Sequence, residues 1–395
     1  MKICIDVTEM LKTNYISGIQ RVVKEVTIRW LERGWELLLL SYDLERKCFY
    51  LVDNEKYYNF YSGRSNEKEV LSDVFMRIGD FQKGYIFYDL DSAWNYPLKR
   101  SWLLPQLKKQ GAKIAAHIYD TIPITETQFC HSDTVLNFME WFGAQLKYAD
   151  LIITNAQATV CSIEKIIEGT KIKRLNAKIV RLGCDLRKDQ VAPVYQNNLA
   201  QLAHIGKYVL IVGTIEPRKN HEYILNAFDQ KLFAQGLHLV LAGRIGWNVE
   251  GLVQRIKKHP ELGKKLFLIE DASDEDIAYL YKNALAVAFP SYNEGYGLPV
   301  IEALYHKAIV LAADIPVLRE VGGELCRYFS LESVEAFIDL ASFYSNNQEA
   351  CEEQKKKLES FRVYTWEDCA KTMYQALKLH HFKWYDRISN ILKFD

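Results

Sequence analysis

The sequence has no excess of either charge. Fifty basic residues balance fifty acidic ones, so the formal net charge is zero at pH 7. A chain without a basic surplus has no overall field that would draw it onto phosphate backbones. The balance therefore argues against nucleic acid as a partner.

Long apolar runs are also missing. No stretch approaches the roughly 18 apolar residues that a membrane-spanning helix needs. The first residues bring Asp6 and Glu9 into the region that a signal peptide keeps apolar. We therefore expect a soluble protein in the cytoplasm.

Paired cysteine motifs are absent as well. The eight cysteines are scattered along the chain, and no two of them have the Cys-x-x-Cys spacing. This pattern is typical of reduced, mostly buried thiols rather than of a disulfide framework or a structural zinc site. We predict no bound metal.

Short apolar runs that alternate with helical patterns dominate what is present. With 395 residues, the chain suits two domains of roughly 150 to 200 residues each. The runs predict buried parallel strands in doubly wound α/β sheets. The predicted strands are 2–8, 35–42, 84–90, 113–120, 151–155 and 178–182 in the first half, and 207–214, 238–243, 265–270, 284–290 and 309–314 in the second.

The pattern lapses between residues 188 and 206, which predicts the domain boundary. We expect a Rossmann-like N-terminal domain at 1–190, a linker at 191–206 and a Rossmann-like C-terminal domain at 207–365. The helical segment 366–395 could pack back on the N-terminal domain. Ligands of open parallel sheets bind beyond the carboxyl ends of the strands, so motifs at strand ends carry the most weight.

The first strand-end motif is Gly-Thr-Ile-Glu-Pro-Arg-Lys-Asn at 213–220. Gly213 permits a tight exit from the strand, and Arg218 and Lys219 stand beside a predicted helix start. Two cations and a helix N-terminus together favour an anion site. The alternative is a capped helix with solvated basic residues.

The second motif contains Glu294 and Glu302, which lie eight positions apart around a Gly-Tyr-Gly-Leu-Pro loop. Glu294 falls in the loop and Glu302 in the opening turns of the next helix, where backbone N–H groups are free. One carboxylate can then accept hydrogen bonds from a sugar or ribose while the amides face a phosphate. In the alternative, Glu302 only complements the helix dipole, which leaves Glu294 unexplained.

The third motif follows a strand of the first half, where Tyr119 and Asp120 emerge at the strand end. His117 lies inside the apolar run and is more often a core residue than a catalyst. Asp89 and Asp91 form an Asp-Leu-Asp that superficially suggests a metal site. Strand-end aspartates have many other uses, and we assign them no metal.

Taken together, these motifs resemble glycosyltransferase family 4 on the GT-B fold. The matching segments are 213–220, 241–247, 273–284, 290–304 and 314–323, with weaker similarity at 17–23 and 118–123. The resemblance implies two Rossmann-like domains with parallel sheets facing a central cleft. It also implies a retaining transfer of a sugar, with mannose and rhamnose among the candidates, from a nucleotide diphosphate-sugar donor to a glycan or lipid-linked glycan in surface-polysaccharide assembly. No metal or other cofactor is implied.

The resemblance also implies roles for individual residues. Glu294 would contact the donor sugar and Glu302 the ribose, while Lys219, with Arg218 beside it, would bind the diphosphate. Tyr119, where the family often has histidine, and Asp120 complete the catalytic candidates. The remaining donor-binding candidates are Gly18, Gly213, Thr214, Arg244, Gly295, Tyr296, Gly297 and Leu298. Arg244 is included because an arginine frequent at the start of the phosphate motif is absent here.

Four other functions compete with a transferase. A glycoside hydrolase also uses two carboxylates but needs no phosphate clamp. A nicotinamide dehydrogenase is disfavoured because Gly-x-Gly-x-x-Gly follows the first strand of neither half. A sugar-nucleotide epimerase of similar architecture and a catalytically silent sugar-binding protein stay open.

Two basic tracts, 165–178 and 380–385, could touch a membrane that holds a lipid-linked acceptor. Such contact would place the protein at the inner face of the membrane. The alternative is a solvated face and a docked terminal helix.

Overall fold

The computed structural model describes residues 1–13, 16–170, 175–184 and 205–391, with side chains up to His380. It forms two compact units, one of Met1–Gly183 with Tyr364–Asp395 and one of Cys184–Val363. The predicted linker 191–206 lies outside the described residues except for Ile205 and Gly206. The basic tracts predicted for membrane contact also lie partly outside the described side chains.

The first unit is built on an eight-stranded sheet in the order β4-β3-β2-β1-β5-β6-β7-β8. Its strands are β1 Lys2–Asp6, β2 Leu37–Asp43, β3 Cys48–Val52, β4 Leu71–Met76, β5 Tyr85–Asp89, β6 Lys113–Ile118, β7 Leu151–Thr154 and β8 Ala177–Ile179. The helices are α1 Thr8–Lys12, α2 Gly18–Glu32, α3 Asn54–Tyr61, α4 Arg100–Lys109, α5 Ile122–Thr125, α6 Ser132–Tyr148 and α7 Gln157–Ile167.

The sequence predicts an all-parallel sheet in this unit, and this prediction is wrong at one edge. β3 pairs antiparallel with β2, and β4 pairs antiparallel with β3. The connection between β2 and β3 is too short for a crossover helix, and Lys47 in it has a left-handed φ of 52°. Antiparallel strands need only such a turn. β4 was missed because its residues are mostly exposed and give no apolar run.

The second unit has a six-stranded sheet in the order β11-β10-β9-β12-β13-β14, with every pair parallel. Its strands are β9 Tyr208–Val212, β10 His238–Ala242, β11 Leu266–Ile269, β12 Ala286–Phe289, β13 Val310–Ala313 and β14 Arg327–Phe329. The helices are α8 His221–Ala227, α9 Glu250–Lys257, α10 Asp274–Asn283, α11 Leu298–Tyr305, α12 Pro316–Gly322, α13 Val334–Asn346 and α14 Gln348–Leu358.

The core of the second unit explains why these short strands form. Val209 and Ile211 of β9 pack with Leu239 and Leu241 of β10 and with Ile224 of α8 in one buried cluster. Strands covered by helices on both faces bury every position, which is why the sequence shows continuous apolar runs. The parallel-sheet prediction is confirmed here.

The strand order of this sheet reverses direction next to β9. The chain runs outward from β9 through β10 to β11 and then returns, so that β12 pairs with the opposite edge of β9. Val287 of β12 lies beside Leu210 of β9. The loops that follow these two strands therefore start side by side at the switch point, where open α/β sheets bind their ligands.

The last helix, α15 Trp366–Ile391, belongs to the first unit. Its residues Cys369, Met373 and Leu377 are buried. Trp30 of α2 donates a hydrogen bond of 2.8 Å to the carbonyl oxygen of Ala370. In the part of the chain that the structure describes, no helix is both long and apolar enough to cross a bilayer.

Candidate active site

The loop after β9 packs tightly against the loop after β10. Gly213 has a φ of +136°, and a Cβ there would come within 3.1 Å of Cε of Lys219. A Cβ on Gly243 would lie 1.9 Å from the carbonyl oxygen of Gly213. Both positions therefore require glycine, and the aliphatic part of Lys219 lies close over the backbone at Gly213.

A short turn separates the two basic residues of this loop from the helix that follows. Residues Pro217–Lys219 form a single 3₁₀ turn, Asn220 has a left-handed φ of 53°, and α8 begins at His221. Arg218 and Lys219 therefore lie in the turn before the helix. The cations themselves, rather than helix amides, must carry any attraction for an anion here.

The loop after β12 ends at Gly297, which has a φ of +92° and caps α11. A Cβ at Gly297 would approach Cδ2 of Leu318 to 2.9 Å. Pro299 is the second residue of α11, as the sequence predicts, because its missing N–H belongs to the unbonded first turn. Gly295 and Leu298 are partly exposed in this loop, whereas Tyr296 is buried.

The two loops meet at Glu294. Nζ of Lys219 lies 2.9 Å from Oε1 of Glu294, and Nη1 of Arg218 lies 2.7 Å from Oε2. The Ser291 hydroxyl donates a hydrogen bond of 2.8 Å to Oε1. The structure thus brings together three of the predicted catalytic residues, and Lys219 and Glu294 are 75 positions apart in the sequence.

Arg218 makes further contacts within this cluster. It forms an ion pair with Glu216, which is 5% exposed. Its Nη1 donates a hydrogen bond of 2.6 Å to the carbonyl oxygen of Asn293. Its own carbonyl oxygen accepts a hydrogen bond of 2.9 Å from the backbone N–H of Tyr292. Arg218 therefore ties the loop after β9 to the loop after β12.

Electrostatics keep Glu294 ionised. Burial raises its pKa, but the positive charges of Arg218 and Lys219 outweigh burial and bring the pKa down to about 2. The Glu294 side chain is 11% exposed, and those of the two cations are about equally covered. The site therefore presents a charged carboxylate and two cations at neutral pH.

Glu302 lies within α11 and is buried. The hydroxyl of Tyr281, on α10, lies 3.4 Å from its Oε2 and 3.3 Å from the carbonyl oxygen of Pro299. Glu302 thus lies about one helical turn after the start of α11 at Leu298. This position agrees with the sequence prediction.

Thr214 and Arg244 lie in neighbouring loops. The backbone N–H of Ile215 donates a hydrogen bond of 2.8 Å to the carbonyl oxygen of Arg244. A Cβ on Gly246 would lie 2.9 Å from Cγ2 of Thr214. The Arg244 side chain is exposed beside this contact, and its contribution to donor binding stays a prediction.

The candidates from the first half belong to the other unit. Gly18 is the exposed first residue of α2. Tyr119 is buried, and its hydroxyl donates a hydrogen bond of 2.7 Å to the carbonyl oxygen of Leu90. A carboxylate oxygen of Asp120 accepts a hydrogen bond of 2.9 Å from the N–H of Ile122. The catalytic roles of Tyr119 and Asp120 stay predictions.

The prediction that His117 is a core residue is confirmed. Its ring is fully buried, with Nδ1 2.8 Å from the Tyr88 hydroxyl and Nε2 2.7 Å from Oδ1 of Asn155. Burial lowers the pKa of His117 to about 4 despite the hydrogen bond to Asn155. The imidazole is therefore neutral, and both of its nitrogens have hydrogen-bond partners.

Asp89 and Asp91 have protein partners. Arg100 donates to both oxygens of Asp89 at 2.9 Å, and the backbone N–H groups of Met10 and Ser92 each donate to Asp91 at 2.7 Å. Across the described ranges, no group of three or more His, Cys, Asp or Glu side chains is arranged to hold a metal ion.

Sequence reasoning missed Glu216, Ser291 and Asn293. Glu216 stands two positions before Arg218 inside the same motif, and a carboxylate so close to a predicted phosphate clamp is the signal that could have found it. Ser291 and Asn293 carry no such signal, because their partners come from the folded loop itself.

Residues 200–360 match the family model described as glycosyl transferases group 1. This segment is therefore similar to the glycosyl transferases of group 1. It covers nearly all of the second unit, including both loops that meet at Glu294. The resemblance inferred from the motifs is confirmed at the level of this group.

Similarity to curated proteins extends beyond this segment to nearly the whole chain. The chain is 26% identical to the serotype-specific mannosyltransferase WbdA of Escherichia coli over 96% of its own length and 46% of that protein. It is 31% identical to the O-antigen chain mannosyltransferase B of Escherichia coli over 45% of this chain and 47% of that one. The chain thus spans about half the length of the curated relatives it matches.

A solved structure supports the fold. HepE from Anabaena, crystallised with UDP and glucose, superposes with a TM-score of 0.67 at 14% identity, over 96% of this chain and 99% of that one. At such low identity the likeness establishes the fold alone. The two units together have the GT-B fold.

Proposed function

We propose that this chain transfers a mannose-type sugar from a nucleotide diphosphate-sugar to a hydroxyl group of a glycan or lipid-linked glycan in surface-polysaccharide assembly. The mannosyltransferase relatives support the sugar and the setting. We place the reaction in the cytoplasm, with the acceptor presented at the inner face of the membrane. The resemblance of the motifs alone supports this location.

The observation that carries the proposal is the ion cluster of Arg218, Lys219 and Glu294 at the switch point of the sheet. Breaking a glycosyl–phosphate bond develops negative charge on the leaving diphosphate and positive charge on the sugar ring. Lys219 would stabilise the diphosphate, while the ionised Glu294 would accept hydrogen bonds from sugar hydroxyls. Groups already in place for these charges stabilise a transition state without reorganisation.

We propose further that the donor site works without a metal or other cofactor and that the transfer retains the anomeric configuration. Support for metal independence is that Lys219, at the switch point of the sheet, could supply the positive charge that a metal ion would otherwise bring to the diphosphate. Support for retention is the family resemblance of the Glu294 and Glu302 pair. In this proposal Glu302, which lies in α11 after the loop that carries Glu294, accepts hydrogen bonds from the ribose.

Nucleotide binding tests the proposal. GDP, UDP, dTDP and CDP are titrated calorimetrically into the wild-type protein with and without EDTA. We expect selective binding of one nucleotide that EDTA does not change. Lys219→Ala should weaken that binding at least about tenfold, because it loses a charge-assisted contact to phosphate. Lys257→Ala, which removes an exposed lysine from α9, serves as the control for lost charge and should bind normally.

The preferred nucleotide then defines the sugar donor for a transfer assay. With mannose as the sugar, the anomeric signal of the product in NMR reports whether configuration is retained. A product with inverted configuration would contradict the retaining assignment, but the proposal of a transferase would still hold. Binding of no nucleotide at all would contradict the proposed function itself and favour the silent sugar-binding protein.

A further inference from the structure

The two adjacent cations of the site are held in different ways. Arg218 contacts Glu216, Glu294 and the carbonyl oxygen of Asn293, so its guanidinium is engaged from three sides. Its backbone is also fixed, through the hydrogen bond from Tyr292. Lys219 has its ammonium on Glu294 and its aliphatic chain over Gly213.

The cost of moving each cation differs accordingly. If Arg218 turned away, Glu216 would lose the ion-pair partner that the structure describes for it at a position only 5% exposed. Uncompensated buried charges are strongly destabilising. If Lys219 turned away, Glu294 would keep Arg218 and the Ser291 hydroxyl as partners. Lys219 is therefore the cation that can respond to a ligand at low cost.

From this asymmetry we infer that Arg218, supported by Glu216, is a positioning residue that holds Glu294 in place, while Lys219 alone turns toward the diphosphate of the donor. The inference rests on the proposed function and divides its work between two residues that the sequence presents as one basic pair. An arginine fork suits a fixed bridge between two carboxylates, whereas a lysine is a mobile point charge.

A second consequence concerns Glu294. A carboxylate has about four lone-pair sites on its two oxygens, and Oε1 already accepts from Lys219 and Ser291. When Lys219 turns to a phosphate, a site on Oε1 becomes free for a sugar hydroxyl. Before that, the negative charge of Glu294 opposes the attraction of Lys219 for phosphate. Removing the charge should therefore tighten the binding of a nucleoside diphosphate that carries no sugar.

The test compares nucleoside diphosphate affinity with turnover in Lys219→Gln, Arg218→Gln, Glu216→Gln and Glu294→Gln. The ligand is the nucleotide that binds the wild type best. We expect Lys219→Gln to weaken its binding at least about tenfold. Arg218→Gln should change its dissociation constant by less than about threefold while lowering kcat about 100-fold, as misplacement of a reacting group does.

Glu216→Gln should act in the same direction as Arg218→Gln but less strongly, because Arg218 keeps its other two partners. Glu294→Gln should bind the nucleoside diphosphate more tightly than the wild type, by at least about threefold, and should lose transfer. The pH profile separates positioning from mere loss of structure. Without Arg218 the pKa of Glu294 rises, so the acid limb of kcat should move to higher pH.

The outcomes separate the inference from the function on which it rests. If Arg218→Gln weakens nucleotide binding as much as Lys219→Gln does, Arg218 is a phosphate ligand and the inference is wrong, while the transferase proposal stands. Unchanged or weaker binding in Glu294→Gln would also overturn it. If the wild type binds no nucleotide, both fail. Should Arg218→Gln not fold, Arg218→Lys and Glu216→Gln provide the same comparison of affinity with turnover.

Discussion

At the residue scale, the ionised state of Glu294 depends on a balance of opposing effects. Burial raises its pKa, and Arg218 and Lys219 more than reverse that shift. The carboxylate therefore stays charged in a covered site where it would otherwise be costly. A group whose pKa is depressed in the folded protein stabilises the fold above its unfolded pKa and loses that contribution as the pH falls.

This balance predicts how the stability of a Glu294→Gln variant depends on pH. The pKa of Glu294 falls from its ordinary value near 4.5 to about 2 on folding, so its contribution is complete above about pH 4.5 and declines toward pH 2. We expect the difference in Tm between wild type and Glu294→Gln to be larger at pH 6 than at pH 3. Glu359→Gln, at an exposed position after α14, is the control and should show little difference at either pH. An equal difference in Tm at the two pH values would mean that the pKa of Glu294 is not lowered in the folded protein.

The sequence identified the residues of this cluster but not their contacts. Arg218, Lys219 and Glu294 were found because each stands after a strand in a recognisable motif. Their pairing depends on β12 returning to the free edge of β9, which no local pattern records. For the same reason the sequence assigned Arg218 to phosphate, whereas the structure shows it bound between two carboxylates.

At the scale of the element, apolar runs predicted the parallel strands well because those strands are buried on both faces. Patterns failed where burial is partial, as in the exposed edge strand β4, and where a few residues choose between turn types. The step from Pro217–Lys219 to α8 is such a place, since Asn220 adopts a left-handed conformation between the 3₁₀ turn and the helix. Likewise, only the close approach of the loops after β9 and β10 explains why positions 213 and 243 are glycines.

The closest of these approaches predicts the effect of Gly243→Ala. A Cβ at Gly243 would lie 1.9 Å from a backbone oxygen of Gly213, which cannot move aside as a flexible side chain could. We expect the loops after β9 and β10 to separate, at a cost of about 1 to 3 kcal/mol in the free energy of unfolding. Nucleotide affinity should fall as well, because Lys219 packs over Gly213.

The control for this change is Gly251→Ala, in α9 of the same unit. A Cβ at Gly251 meets no atom within 4 Å, and alanine is the better helix former by about 1 kcal/mol. Denaturant unfolding should therefore show Gly251→Ala at or above wild-type stability. Equal stability of the two variants would contradict the close packing of the two loops.

At the scale of the whole molecule, the chain forms two compact units, of which the first is assembled from two separate segments of the sequence. The first unit includes α15 from the far end of the chain, while the second contains the segment that matches the group 1 glycosyl transferases. All of the residues in the ion cluster and Glu302 lie in the second unit. A change confined to the first unit should therefore affect stability without altering those contacts.

Trp30 gives the clearest test of this separation. It is fully buried on α2, donates a hydrogen bond to Ala370 of α15 and stacks on Tyr88 at 6.2 Å between ring centroids. Trp30→Ala should cost about 3 to 5 kcal/mol in the free energy of unfolding, because it leaves a large cavity and removes the hydrogen bond to Ala370. Trp102→Ala is the matched control, since Trp102 is 46% exposed on α4 of the same unit. It should change stability by less than about 1 kcal/mol.

Denaturant unfolding and calorimetry on the same samples decide the question. At a temperature where Trp30→Ala is still folded, we expect its affinity for the nucleoside diphosphate to equal that of the wild type and of Trp102→Ala. A large loss of stability with intact nucleotide binding would place the packing of α15 and the donor site in separate units. If affinity fell together with stability, the two units would be energetically coupled, and the donor site would depend on more than the loops after β9 and β12.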